Sequence, residues 1–311
     1  MVPTVDIGSP TATSLDALRT ACADHGFFLL RGHGLDALIE KQWDTTRRFF
    51  ECDSEIKESV RRSETSALGY FDRELTKRLR DNKEVFDFVD PLLDGEHQLN
   101  QWPAEPPGFE STMAEYFDAF AQLAATTLDL IYSSLDLSPE IAGQHRNARH
   151  SSTVRLNHYP LDDPVPAQDR GDVRPLGDVA LGHHTDPGVL TLLLQDGVGG
   201  LQAESEEHGW IDVEPKPGTI VVNLADMLQV WTNDRYKAAV HRVIPITKQS
   251  RYSIPFFSNP ARSAQIQPID SLVEGSPKYR EFSWRDFMQG RVDDNYVDLG
   301  GADIQISNFR V

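Results

Sequence analysis

Apolar positions in the first third of the chain recur at helical spacing, broken by short runs that do not. From Ser14, the residues Leu15, Leu18 and Cys22 fall on one side of a helix, and Gly26 is placed to end it. The uninterrupted run Phe27-Phe28-Leu29-Leu30 then predicts a buried strand that stops at Gly32-His33-Gly34. A second one-sided stripe uses Leu35, Leu38, Ile39, Trp43, Phe49 and Phe50. After the break at Pro103, Pro106 and Pro107 comes the longest stripe. Met113, Tyr116, Phe117, Phe120, Leu123, Leu128, Ile131 and Leu135 mark its buried face, and Ser138-Pro139 follows its end.

Past residue 150 the period changes from helical to strand-like. Thr153–Tyr159, Val189–Gln195, Gly200–Ala203, Trp210–Val213, Thr219–Asn223, Ala238–Val243 and Tyr252–Phe257 are short and rich in β-formers. Turn residues separate them, as in Asp196-Gly197-Val198-Gly199-Gly200 and Glu214-Pro215-Lys216-Pro217-Gly218. Many short strands at near-regular spacing predict a mainly β fold with helices, a double-sheet barrel or jelly roll. The stretch Pro277 to Gln289 returns to helix as a cover for one end. The 311 residues read as one compact unit. Within it, 1–150 is a mostly helical N-terminal region, 151–270 the jelly-roll core and 271–311 a C-terminal cover.

Composition narrows the function. With 30 basic and 48 acidic residues the formal charge is −18, which argues against nucleic acid or an anionic membrane surface as partner. The two cysteines, Cys22 and Cys52, make no disulfide framework and no zinc-ribbon spacing, so a cytoplasmic setting is expected. The start of the chain lacks the basic and apolar pattern of a signal peptide, and no stretch reaches the roughly 18 apolar residues of a membrane span.

Three short patterns carry candidate chemistry. In His184-Thr185-Asp186 the two-residue step puts imidazole and carboxylate on one side of an extended backbone, and His241 lies downstream in an apolar strand run. Two imidazoles and one carboxylate on one face of a metal suit non-haem iron(II), because the opposite positions stay open. Zinc accepts the same donors with water in the vacant place, and His183 rivals His184 for the first position. In Arg251-Tyr252-Ser253 a guanidinium and a hydroxyl share a face, a pairing that suits a carboxylate. Taken singly, it reads better as a surface arginine on a strand. Asn157 and Tyr159 also share a face and offer hydrogen bonds to a polar ligand.

Together these pieces resemble the iron(II)/2-oxoglutarate-dependent dioxygenases of the isopenicillin N synthase-like family. Asn157-His158-Tyr159-Pro160, Gly182-His183-His184-Thr185-Asp186, the stretch from Leu190 to Gln202, His241-Arg242 and Arg251-Tyr252-Ser253 follow in the family's order. Gly26-Phe27-Phe28, Gly32-His33-Gly34, Gly69-Tyr70 and Lys83-Glu84-Val85-Phe86-Asp87 extend the likeness over the N-terminal half. The resemblance implies a double-stranded β-helix core with packed helices, and Fe(II), 2-oxoglutarate and molecular oxygen as cofactor and cosubstrates. It implies that His184, Asp186 and His241 bind the iron and that Arg251 and Ser253 hold the distal carboxylate of 2-oxoglutarate. Asn157 and Tyr159 match positions beside the cosubstrate.

The reaction so implied oxidises an unactivated C–H bond of a small-molecule metabolite, releasing succinate and carbon dioxide. Hydroxylation is the default, with desaturation or ring formation as variants. Asp186 argues against halogenation, since related halogenases lack that carboxylate. The alternative within the fold is an iron oxidase or oxidative cyclase independent of 2-oxoglutarate, and outside enzymology a metal-free binding barrel. By region, the resemblance nominates Phe71, Arg73, Lys77, Arg80, Phe256, Phe257 and Phe287 for the substrate wall. Each has a bland alternative: the aromatics as core, and the cluster Arg73, Lys77, Arg78 and Arg80 as a solvated face. Specialised metabolism is the implied setting, with amino-acid and plant-type hormone substrates as further classes. The sequence says nothing of oligomeric state.

Overall fold

The computed structural model describes residues 2–63, 65–76, 79–93, 99–177, 181–244, 248–296 and 304–311. Two facing sheets form the centre, one of eight strands and one of four. Across the larger sheet the order is Thr4–Asp6, Phe27–Arg31, Ile220–Leu224, Leu190–Gln195, Arg251–Ser258, Thr153–Tyr159, Glu84–Val89 and Gly69–Phe71. The smaller sheet runs Gly209–Asp212, Leu201–Ser205, His241–Val243 and Leu181–His184, all antiparallel. Four strands of the larger sheet thus come from the helical first half of the chain.

Strict alternation along the central strands explains this architecture. Phe28 and Leu30, Val154 and Leu156, Leu192 and Leu194, and Ile254 and Phe256 enter the core under the helices. Their neighbours Phe27, Leu29, Tyr159 and Val221 enter a second core between the sheets, with Leu201, Ala203, Ala239 and Val243. Where both faces are apolar, as in Phe27-Phe28-Leu29-Leu30, the strand reads as a continuous hydrophobic run, whereas Thr153–Tyr159 and Arg251–Ser258 place Arg155, Asn157, Arg251 and Ser253 on the inward face. A one-residue slip would exchange the two faces and is excluded by both.

The long helix Phe109–Ser134 covers the outer face, burying Met113, Tyr116, Phe117, Phe120 and Leu128. Phe117 meets Phe256 edge to face at 5.2 Å. The helices Ala12–Asp24 and Asp36–Phe50 pack beside it. The first is opened by a capping box between Thr11 and Ser14 and closed near Gly26, whose φ is +69°. A side chain there would also strike the Lys237 carbonyl.

Several boundaries differ from the sequence expectation. Within Ala238–Val243 only His241–Val243 is strand, and upstream of it the Ala239 N–H bonds to the Leu224 carbonyl of the larger sheet instead of continuing the ladder. The helical tail lies later, at Trp284–Tyr296, once Phe282–Ser283 has paired with Gln265–Ile266. The short helix Asp226–Trp231 and the strands Gly69–Phe71 and Glu84–Val89 have no counterpart in the periodicity. Among the described residues no helix is long and apolar enough to cross a membrane.

Candidate active site

His184 ends one strand of the smaller sheet and His241 begins its neighbour, and the two stand directly opposite in the ladder. Pairing brings their rings to 4.3 Å between centroids. Asp186 follows just past the strand end, buried. Its Oδ1 lies 3.6 Å from His184 Nε2 and 3.8 Å from His241 Nε2. One donor atom from each residue falls within 4.8 Å of the other two. His183 is exposed and outside this cluster, so of the two adjacent histidines it is His184 that meets Asp186.

Each donor is oriented from behind. His184 Nδ1 is 2.8 Å from the Gly182 carbonyl and His241 Nδ1 is 2.9 Å from that of Ala239. Donating from Nδ1 leaves both Nε2 lone pairs facing Asp186 Oδ1. The second carboxylate oxygen, Oδ2, accepts from Thr191 Oγ1 at 2.5 Å and Asn223 Nδ2 at 2.8 Å. Thr191 and Asn223 are register partners on adjacent strands of the larger sheet, so the bridge ties the two sheets together at the site.

Electrostatics favour metal-ready protonation. Burial lowers the His184 pKa, and His241 pushes the same way against the opposing pull of Asp186. Burial works against the Asp186 carboxylate, but both imidazoles and the bonds from Thr191 and Asn223 outweigh it and hold its pKa below the usual value. A neutral imidazole and an ionised carboxylate are the forms that ligate. With its open face, this donor set fits iron(II).

Arg251 and Ser253 point inward from the larger sheet. Arg251 is only 1% exposed, yet no carboxylate pairs with it among the described residues. Its Nε donates to the Gly199 carbonyl at 2.8 Å, its guanidinium lies 5.0 Å from the Tyr159 ring centre, and Nη1 has no hydrogen-bond partner. The glycine turn predicted between strands delivers that carbonyl, with Gly199 and Gly200 both at positive φ. A buried cation with an orphaned donor calls for an anion. Asn157 stands opposite Ser253 and donates to its Oγ at 3.3 Å, while Tyr159 stands opposite Arg251. The four residues form one patch that fits a dicarboxylic cosubstrate.

The profile of the 2OG-Fe(II) oxygenase superfamily matches residues 150–260. The N-terminal profile of the non-haem dioxygenases in morphine synthesis matches residues 2–105. The chain belongs to the 2OG-Fe(II) oxygenases. It is 32% identical over 302 residues to the homoarginine-6-hydroxylase 2-ODD-C23 of Glycine max, covering 91% of this chain and 89% of that protein. A 2-oxoglutarate-dependent dioxygenase of Didymella fabae is 33% identical over 319 residues, covering 93% of each. Among solved structures, a full-length Neurospora crassa protein in complex with alpha-KG and 5-formyluracil superposes with a TM-score of 0.78 at 29% identity. That match covers 94% of this chain and 95% of the other. This oxygenase is therefore an enzyme that uses iron(II), 2-oxoglutarate and dioxygen to oxidise a small molecule.

The residues nominated for the substrate wall of the oxygenase do not gather. Phe256 turns to the outer face against Phe117 and Phe120, away from Arg251 and Ser253, and is core. Phe287 is buried among Phe282, Trp284 and Phe309 in the C-terminal cover. Arg80 is buried in a bidentate pair with Asp163, at 2.7 and 2.6 Å, and is no solvated charge. Arg73 is shared between Asp72 and Asp169. Phe71 lies under the Arg62 guanidinium, 5.4 Å from it. Phe257 keeps the inward face, opposite Thr191. Lys77 and Arg78 lie outside the described residues.

Sequence reasoning passed over Thr191 and Asn223. Each is a polar residue inside an apolar strand run, Leu190-Thr191-Leu192 and Val222-Asn223-Leu224, which was the available signal. It also passed over the ion pairs that continue the inward face beyond Asn157. There Arg155 pairs with Asp87 and Glu74, and Lys83 with Glu74 and Asp81.

Proposed function

We propose that this oxygenase hydroxylates a C–H bond of a polar small molecule. His184, Asp186 and His241 hold iron(II), and Arg251 with Ser253 takes the distal carboxylate of 2-oxoglutarate. The observation that carries the reading is the buried, anion-deficient Arg251 on the wall facing a preorganised His/Asp/His set. Bound iron supplies oxidation by dioxygen, coupled to decarboxylation of the cosubstrate to succinate. The chain supplies orientation. Asn157 fixes the Ser253 oxygen by donating to it, which leaves the hydroxyl hydrogen to reach a carboxylate. Tyr159 backs the guanidinium, and the apolar residues between the sheets exclude water. A substrate lying past Asn157 meets Arg155, Asp87, Glu74 and Lys83, which supports a polar rather than a greasy molecule. We infer that the whole chain works as one unit, in a reducing cytoplasm to which the free thiols Cys22 and Cys52 are suited.

Protein purified without oxygen, given iron(II) and labelled 2-oxoglutarate and then exposed to labelled dioxygen with a panel of polar metabolites, tests this directly. Hydroxylation predicts labelled succinate together with one oxygen label in the product. Succinate with an unlabelled, dehydrogenated product replaces hydroxylation by desaturation. Iron uptake without any succinate overturns the assigned roles of Arg251 and Ser253.

A further inference from the structure

The loop between two of the proposed iron ligands is gripped from outside the barrel. Arg291 lies in the C-terminal helix Trp284–Tyr296, is buried, and donates from Nη2 to the carbonyl of Thr185 at 2.8 Å. Thr185 separates His184 from Asp186. The next carbonyl, that of Asp186, accepts from the backbone N–H of Asp226 at 2.9 Å, at the head of the helix Asp226–Trp231. Two successive peptides of the ligand loop are therefore held, one by the barrel and one by the cover. The Arg291 guanidinium is fixed in turn by the Phe287 ring, 5.9 Å away and itself fully buried.

We propose that Arg291 is a positioning residue: through the Thr185 carbonyl it sets the spacing of His184 and Asp186, and so couples docking of the C-terminal cover to iron binding. The physical case is one of leverage. Asp186 stands beyond the end of its strand, where ladder hydrogen bonds no longer fix the backbone. A charge-assisted bond from a buried guanidinium to the intervening carbonyl replaces that restraint. By reciprocity, whatever the cover contributes to iron affinity, iron contributes to docking of the cover.

The inference rests on the proposed ligand roles, and the test separates the two. Arg291→Met keeps the apolar stem against Phe287 but removes the donor, and Arg291→Lys restores one donor. Anaerobic titration of the whole chain is expected to show iron(II) affinity about 10-fold weaker or more in R291M, the range found for partners behind metal ligands, with partial recovery in R291K. Circular dichroism is expected to be unchanged. Equal affinity in R291M and unaltered protein overturns the role of Arg291 alone, whereas unaltered protein that takes up no iron(II) overturns the ligand assignment. A second measurement needs no variant. Amide hydrogen exchange within Trp284–Arg291 is expected to slow when iron(II) is added to the unaltered protein, and no change there overturns the coupling.

Discussion

Asp186 divides two tasks between its two oxygens. Oδ1 faces the imidazoles, while Oδ2 is committed to Thr191 and Asn223. Removing one of those donors leaves a carboxylate that can rotate about its own bond, so Asn223→Ala is expected to weaken iron(II) binding about 10- to 100-fold. Anaerobic titration checks this, and affinity within twofold of the parent would show that Thr191 alone fixes the carboxylate. Arg251→Ala is expected to raise the KM for 2-oxoglutarate by about tenfold or more, since a hydrogen bond to a charged group is worth roughly 1.5–3 kcal/mol. Its kcat at saturating cosubstrate should change little; a loss in kcat with KM unmoved would take Arg251 out of the cosubstrate patch. These residues were readable because strand period two puts His184 with Asp186, and Arg251 with Ser253, on common faces. Thr191, Asn223 and Arg291 were not, because their roles depend on which distant backbone or side chain each one meets.

Elements were legible where burial leaves a plain pattern, one-sided in the helices and two-sided in runs such as Phe27-Phe28-Leu29-Leu30. The long helix and most core strands appeared at nearly their observed positions, because the helix repeats toward one apolar layer and the strands are β-rich runs that face one or two. Glu84–Val89 escaped detection because Glu84 and Asp87 interrupt the apolar run with charges that are themselves buried. Glu84 accepts from Lys57 at 2.9 Å, Tyr70 at 2.7 Å and lies 2.7 Å from His158 Nδ1, joining a helix and three strands. Burial opposes its ionisation, but the His158 bond, Lys57 and Tyr70 together hold its pKa below the usual carboxylate value. A carboxyl depressed by folding stabilises fully above its unfolded value, near 4.3, and loses that contribution as pH falls through the lower folded value. Glu84→Gln is thus expected to cost about 2 kcal/mol at neutral pH and to flatten the fall of Tm in acid. An unchanged acid limb in thermal melts would remove Glu84 as its source. The two faces of Arg251–Ser258 separate in the same way. Phe256→Ala empties a place under the long helix and is expected to cost about 3–5 kcal/mol in denaturant melts. Phe257→Ala, on the inward face, is expected to act mainly on substrate KM; the reverse pattern would contradict the facing of the strand.

Across the whole molecule, neither the helical first half nor the barrel is complete without the other. Phe27–Arg31 pairs with Ile220–Leu224, and Glu84–Val89 pairs with Thr153–Tyr159, so two strands of the first half flank each side of four barrel strands within one sheet. The helix Phe109–Ser134 finds its apolar partner surface on Leu190–Gln195 and Arg251–Ser258. Without residues 151–270 the first half would leave strand edges and a helix face open, and without 1–150 the sheet would lose four strands. Composition and periodicity could show that the front helices need a partner, but not that four short strands cross into the sheet, since Thr4–Asp6 and Gly69–Phe71 are too short to carry a period. Flanking on both edges predicts one cooperative thermal transition for residues 1–270, with calorimetric and van't Hoff enthalpies in agreement. Iron(II) and 2-oxoglutarate should raise that transition as a unit, by about 2.7 kcal/mol at a hundredfold excess over Kd, and a chelator should reverse the shift. Two resolved transitions, or a stably folded fragment of residues 1–150, would contradict the shared sheet, because either requires one half to satisfy its own edges and apolar faces alone.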